Sequence, residues 1–491
     1  MNIPFAQRFA TRVLSHAPRS PKTRTWVTLV VTAVCIGLAI VMSRVLSDPT
    51  SRLNPLLLLG GVAGLVVMLA WYSFGRIQHA LWALALSGAT LNFIAIGTGT
   101  ESKVVLSLVI FIVLLTVWLM NSLLNRVPLF RSSPVNVPIF AFIAVNLISY
   151  GWSFAMRDPL VDSVLQAWPR FILAQAAGLG MNILLPLLCL VVVSTIREER
   201  WMRGLVVIML FLAGLNAASK IFNLPIEPLL KNGSKGLFVM WGGVFAYAQL
   251  LFNNELSLPR KGICAVILVG ILYYYGITQT LWLSGWLPLG VGIAVITWFR
   301  SKKLFVTMAV IVLVYVAIDF NDLYAKIFQS NVDEGGLGRL DIWRLNLGHV
   351  ANHWLFGMGP AGYALYNIFY HPTEARSTHN NYFDVLAQTG VVGLLIFVWL
   401  LIRFLQVGLN TRAAVANQLD FKEMLANATL GGLFGTIVGM ALGDWVLPFA
   451  FNQTISGFDN ALYTWLFLGC MVSLYLSLHR TNPSKAATTP K

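Results

Sequence analysis

The chain has 491 residues, of which 57% are hydrophobic and only 11% charged, with a mean hydropathy of +0.74. A soluble globule carries about 25% charged residues, so a string of water-soluble domains is excluded and one large bundle solvated by lipid is expected. The net charge of +15 does not indicate nucleic acid, since no basic stripe interleaves with exposed aromatics; it reads as a topology signal facing anionic lipid.

The first 25 residues form a basic tail with Arg8, Arg12, Arg19, Lys22 and Arg24. The apolar run that follows is too long for a cleaved signal and lacks a small-x-small exit, so it reads as a retained helix. A spanning helix needs about 20 mostly apolar residues. Candidate spans run 26–46, 54–74, 77–97, 103–123, 135–153, 177–196, 201–219, 236–253, 262–279, 281–299, 304–319, 385–405, 427–447 and 459–478. The expected fold is therefore all-α, a polytopic membrane bundle of about 12 to 14 transmembrane helices. Cys35, Cys189, Cys264 and Cys470 lie inside apolar runs at no metal or redox spacing, and read as small core hydrophobes.

Placing the N-terminus in the cytoplasm and alternating sides puts most basic residues inside, among them Arg197, Arg200, Arg203, Lys302 and Lys303, and most acidic residues outside. Lys and Arg resist translocation, so this orientation is the expected one. Both termini, 1–25 and 479–491, are then cytoplasmic. Spans fill 26–319 and 385–478. Three outside connections are long: Phe154–Ala176, Lys220–Lys235, and the segment 320–384. The last carries Trp343, Trp354, Phe356, Tyr363, Tyr366, Phe369 and Tyr370, too many aromatics for a solvated linker.

That segment opens with a helix. Leu340, Trp343, Leu347, Val350, Ala351 and Trp354 recur at helical spacing, which predicts one apolar stripe lying on the membrane surface or against the bundle. Arg344 stands at the edge of the stripe and is expected to face protein or lipid headgroups. Arg339 lies near the helix start, where the dipole mildly disfavours a cation. An anionic ligand would account for it, because a guanidinium forks onto phosphate oxygens; a salt bridge to Asp341 or Asp333 is the plainer reading. His349 and His353 stand at i, i+4, a metal-compatible spacing, but no third ligand accompanies them and a solvated helix face is expected. No metal or other cofactor is expected.

His379 sits in Ser377-Thr378-His379-Asn380-Asn381-Tyr382, just before an apolar helix. It could take a proton from a sugar hydroxyl or grip a phosphate. Equally, the cluster could be a helix cap, with Asn380 or Asn381 capping the span that follows. Gly357-Met358-Gly359-Pro360-Ala361-Gly362 lacks the Lys-Ser/Thr of a P-loop and reads as a chain reversal.

Taken in order, Gly338-Arg339…Trp343-Arg344, then Trp354-Leu355-Phe356-Gly357-Met358-Gly359-Pro360, then Thr378-His379-Asn380-Asn381-Tyr382, then Leu386-Ala387-Gln388-Thr389-Gly390…Gly393-Leu394-Leu395 resemble the O-antigen ligase and polymerase superfamily of bacterial membrane glycosyltransferases. The motif match spans about 60 residues, and the many-helix layout with one large external loop agrees with it. The resemblance implies a GT-C-like bundle in the bacterial inner membrane with a periplasmic active site. It implies transfer of a glycan from a polyprenyl (undecaprenyl-type) diphosphate donor to a glycan or lipid-anchored acceptor, in lipopolysaccharide or exopolysaccharide assembly, as ligase or repeat-unit polymerase, without metal. His379, Arg344 and Arg339 would be catalytic. Trp343, Asn380 and Asn381 would contact substrate. Members often carry a "T-x-S-R" stretch on an earlier span; here Thr278-Gln279-Thr280-Leu281 puts leucine in place of arginine, so either Arg170, Lys220, Lys231 or Lys235 supplies the missing charge from another outside loop or this member handles its donor differently. The competing reading is a polysaccharide or lipid-linked substrate transporter or flippase, which calls for ionisable residues near midplane.

Overall fold

The computed structural model describes residues 77–90, 95–97, 103–168, 171–226, 230, 236–278, 283–322, 324–325, 337–451 and 457–480. It falls into two compact units: Met1–Leu84 with Leu108–Val127, and Ala85–Ser107 with Pro128–Lys491. The expected spans 26–46 and 54–74 lie outside the described residues.

Among the described residues helices dominate, because a backbone in lipid must satisfy its own hydrogen bonds. In chain order they are α1 (Ile77–Thr90), α2 (Leu106–Asn125), α3 (Asn136–Ala155), α4 (Asp162–Ala167), α5 (Phe171–Thr195), α6 (Glu199–Ile221), α7 (Phe238–Phe252), α8 (Leu258–Ile271, widening into a π-helical stretch at Leu272–Thr278), α9 (Leu283–Arg300), α10 (Lys302–Ile318), α11 (Leu337–Asn352), α12 (Tyr363–Tyr370), α13 (Asn381–Val415), α14 (Phe421–Leu442) and α15 (Gly457–Arg480). Nine of these, among the described residues, are long and apolar enough to cross a membrane; α7, with 15 residues, and α10, with 17, are shorter. The protein is a multi-pass membrane bundle. Span 77–97 is shorter than expected: α1 stops at Thr90, and Ala95–Gly97 pairs antiparallel with Lys103–Val105 in a two-stranded ribbon.

The first unit's described part is the start of α1 and most of α2. Ile77, Leu81 and Leu84 are buried on the one, Phe111, Leu114 and Trp118 on the other.

In the second unit α14 is central, packed against α7, α9 and α13. Its sequence Gly431-Gly432…Gly435…Gly439 explains the closeness. A Cβ on Gly432 would lie 2.3 Å from the Trp241 ring, and one on Gly435 would lie 2.5 Å from the Pro288 carbonyl oxygen. Small residues let membrane helices approach where no hydrophobic drive between them exists. At the periphery, α10 buries none of its residues and exposes Val310, Ile311 and Leu313, as a lipid-facing helix should.

One break in this bundle positions everything that follows. Within α13, Gly390 has φ +66° and ψ −170°, which interrupts the helical ladder. The 354–359 strand of chain fills the gap. The amides of Met358 and Gly359 donate to the carbonyls of Ala387 and Gln388, both at 2.9 Å, and the Val391 amide donates to the Trp354 carbonyl at 2.8 Å. Ser149 on α3 also donates to the Gln388 carbonyl, at 2.5 Å. Broken helices persist at membrane depth only when neighbours re-satisfy the freed groups. Gly357 must be glycine: its φ is +70°, and an added Cβ would sit 2.4 Å from the Gln388 carbonyl carbon. The glycine-rich motif is thus a chain reversal fastened to a broken span.

Candidate functional site

The segment after α10 is folded. Tyr363, Leu365 and Tyr366 of α12 pack in one core with Val161, Phe171, Val350 of α11 and Phe449. The Phe154–Ala176 connection and the turn after α14 therefore share the segment's core.

The buried face of α11 is Ile342, Asn346 and Val350. This corrects the expected stripe. Leu340, Leu347 and Trp354 lie on the exposed side, Leu340 at 53% and Trp354 at 58%. The sequence pattern misled because Asn346, a polar residue, occupies the centre of the packed face; its amide donates to its own helix at the Ile342 carbonyl. Arg344 is corrected with it. Its side chain is 81% exposed, and its nearest carboxylate, Asp341, is 3.8 Å away, a contact too weak to hold it. Arg339 belongs to the first turn of α11, but its side chain is not among the described ones.

His379 stands at the end of a tight turn with φ +52°, a conformation that costs a non-glycine residue about 1–2 kcal/mol. Several bonds enforce it. The His379 amide donates to Ser377 Oγ at 2.9 Å. Thr378 Oγ1 donates to Asp384 Oδ1 at 2.7 Å, and the Tyr363 hydroxyl donates to the same oxygen at 2.6 Å. Trp343 donates its Nε1–H to the Thr378 carbonyl at 2.9 Å and stacks on Phe383 with centroids 5.1 Å apart. The imidazole emerges 37% exposed, with Nδ1 3.9 Å from Oδ1 of the fully buried Asp444. Asp444 Oδ2 accepts from the Phe449 amide at 3.2 Å. Burial raises the Asp444 carboxyl above the usual range, and the neighbouring His379 pulls it back down. Burial pushes the Tyr363 phenol well up, as does the adjacent Asp384.

Asn380 is the helix cap: its side chain accepts from the Tyr382 and Phe383 amides at 3.0 and 3.3 Å. Asn381 is fully buried and fastens the Asp444 turn, accepting from the Val446 amide at 3.0 Å and donating to the Leu447 carbonyl at 2.7 Å. Both amides are engaged within the protein, and so is Trp343. Their observed place is in holding the His379 turn.

Arg344 opens instead onto a cleft of about 970 Å³, whose walls include Arg157, His349, His353, Tyr366 and Tyr370, and do not include His379. Trp343 and Arg344, adjacent on α11, thus serve different sides of the helix. The His349 and His353 rings lie 5.5 and 5.0 Å from the Tyr366 ring, so they line an aromatic wall and not the solvated face expected of them. Burial is the main cause that lowers both imidazole pKa values.

Lys220 stands in the last turn of α6, which packs against α7 and α8. Arg170, Lys231, Lys235 and Leu281 lie outside the described residues. Sequence reasoning missed Arg157, Asp384 and Asp444. Asp444 did carry a signal: a carboxylate just past a span end needs a buried partner, and the exposed-looking histidine ahead of the neighbouring span is one.

Residues 256–398 match a protein family described as O-antigen ligase. The stretch runs from α8 into the second half of α13, so it holds α11, α12 and His379. No curated protein matches the chain. This domain is similar to the O-antigen ligase family and supports a glycosyltransferase-type activity, and the nine apolar helices among the described residues make the chain a multi-pass membrane protein.

Proposed function

We propose that the protein transfers a glycan from a polyprenyl diphosphate carrier to an acceptor sugar hydroxyl at the outer face of the bacterial inner membrane. The observation that carries the reading is His379, held at φ +52° with the buried Asp444 behind its Nδ1. Strained backbone held by its surroundings clusters at functional sites, which supports the reading. His379 takes the proton of the attacking hydroxyl through its exposed edge, as a general base. The Asp444 carboxyl, buried 3.9 Å behind it, is near enough to steady the imidazolium that forms. As the hydroxyl oxygen bonds to the anomeric carbon, the bond from that carbon to the diphosphate breaks. Guanidinium groups then stabilise the leaving diphosphate; Arg339, in the first turn of α11, is assigned this role, whereas Arg344 opens onto the cleft on another side of that helix. Diphosphate is already a good leaving group, so this scheme requires no metal.

The test is deletion of the gene, followed by analysis of carrier-linked glycan and surface polysaccharide. Accumulated single carrier-linked units mark a repeat-unit polymerase; accumulated long carrier-linked chains mark a ligase. Unchanged polysaccharide rejects the proposal.

A further inference from the structure

The cleft beneath Arg344 contains a second guanidinium that the scheme above does not use. Arg157 follows α3 directly, and its side chain is only 9% exposed. It is built into the wall. Its carbon Cζ lies 4.9 Å from the centroid of the Phe154 ring, and one arm, Nη1, reaches Asp162 at a long 3.3 Å. The other arm, Nη2, is shielded from solvent with no hydrogen-bond partner. A buried, unpaired donor on a cation is unfavourable unless something arrives to accept from it.

The surroundings say what would arrive. Arg344 contributes a second cation from α11, free to swing because it is exposed. Of the two acids in the cleft wall, Asp341 lies beside Arg344, and Asp158 has its oxygens engaged by the Tyr370 hydroxyl and the Leu160 amide, bonds that hold its carboxyl below the usual range. Its capacity to compete for Arg157 is correspondingly reduced. Between the two arginines, Tyr366, Tyr370, His349 and His353 present ring faces and edges. Aromatic surface next to a few convergent polar groups, in a cleft of about 970 Å³, suits a small ligand with an apolar face and a charged end.

We propose that this cleft is an oxyanion subsite for a sugar that carries a phosphate or carboxylate, with Arg157 Nη2 as its fixed donor and Arg344 as its closing one. The inference rests on the transferase reading for its biological substrate. The oxyanion has two sources, the diphosphate next to the donor's first sugar or an acidic group on a glycan, and both offer the same forked acceptor.

The experiment is titration calorimetry on the full chain in lipid nanodiscs, with pyrophosphate, glucose 1-phosphate, glucuronate and glucose as probes. Wild type should bind at least one oxyanion probe and show no binding of glucose. Pyrophosphate or glucose 1-phosphate binding over glucuronate assigns the donor diphosphate; glucuronate preferred assigns an acidic glycan. Arg157→Gln should weaken the bound probe at least tenfold. Should that variant fail to fold, Arg344→Gln, at a surface position, should weaken the same probe severalfold. No oxyanion binding to wild type, or unchanged affinity in the folded variants, overturns the proposal. His379→Ala separates the two claims. It should lose transfer and keep probe binding. If wild type shows no transfer while Arg157-dependent binding persists, the transferase reading falls and the subsite stands. If transfer and probe binding both survive Arg157→Gln, the subsite falls and the transferase reading stands.

Discussion

His379 and Asp444 are separated by 65 positions in the sequence and by 3.9 Å in the fold. Their roles can be divided by substitution. His379→Ala should lower transfer by about 10²–10⁴-fold, the usual weight of a positioned general base, while the protein remains in the membrane at wild-type level. Asp444→Asn keeps a hydrogen-bonding oxygen but removes the charge, and should lower transfer at least about tenfold, equivalent to one interaction of ~1.4 kcal/mol. Equal activity of the Asn variant in a transfer assay would remove Asp444 from the mechanism. Tyr363→Phe deletes a donor to the buried Asp384 oxygen and should cost about 1–3 kcal/mol of stability, read as a lower unfolding midpoint in detergent. The sequence pointed to His379 through its motif neighbours. Asp444 offered only a general signal, a carboxylate just past a span end, and Arg157 offered none; packing of the Asp444 turn by Asn381, and of Arg157 on Phe154, brings them in.

At the scale of the element, α13 and α11 behave differently from their sequence patterns. The run after Asn381 reads as an unbroken span, yet Gly390 divides it, and the signal for the break lies 33 residues earlier in Gly357. Gly390→Ala should therefore be severe. It places a Cβ 2.3 Å from the Leu355 carbonyl oxygen at a positive φ. Gly290→Ala in α9 is the matched control, with nothing within 4 Å, and should be neutral or stabilising by up to about 1 kcal/mol. Thermal unfolding of the two variants distinguishes a required break from a tolerated one. On α11, burial lowers the pKa of His349 and His353 from 6.5. In the folded protein they stay neutral at a pH where the unfolded chain already takes up protons. Stability from this cluster is thus complete above about pH 6.5 and falls as pH drops from there through the lowered values. A His349→Gln, His353→Gln double variant should show a flatter stability curve as pH falls below 6.5.

For the whole molecule, the class was legible. Low charge and long apolar runs dictate a helical membrane bundle, and every candidate span within the described residues coincides with a helix, shortened at α1. Helix packing was less so, since the Gly431-Gly432…Gly435 ridge of α14 resembles any apolar run until its neighbours are in place. Orientation remains a prediction with a clean test. Cys189, Cys264 and Cys470 are buried, and with Cys35, which lies outside the described residues, replaced by serine the labelling background should be low. A cysteine at Leu347, on the exposed side of α11, should react with a membrane-impermeant maleimide added to intact spheroplasts. One at Asn417, between α13 and α14, should react only after the membrane is opened. The reverse pattern would place the His379 turn in the cytoplasm.

The measurement that bears most directly on the account is glycan transfer by the purified full chain in nanodiscs, using a polyprenyl-diphosphate-linked glycan and an acceptor saccharide, with wild type and folded His379→Ala side by side. The expected result is one polyprenyl diphosphate released for each glycan transferred by wild type, and loss of both products together in His379→Ala. Transfer by His379→Ala at the wild-type rate would contradict the central claim that this turn carries the reaction.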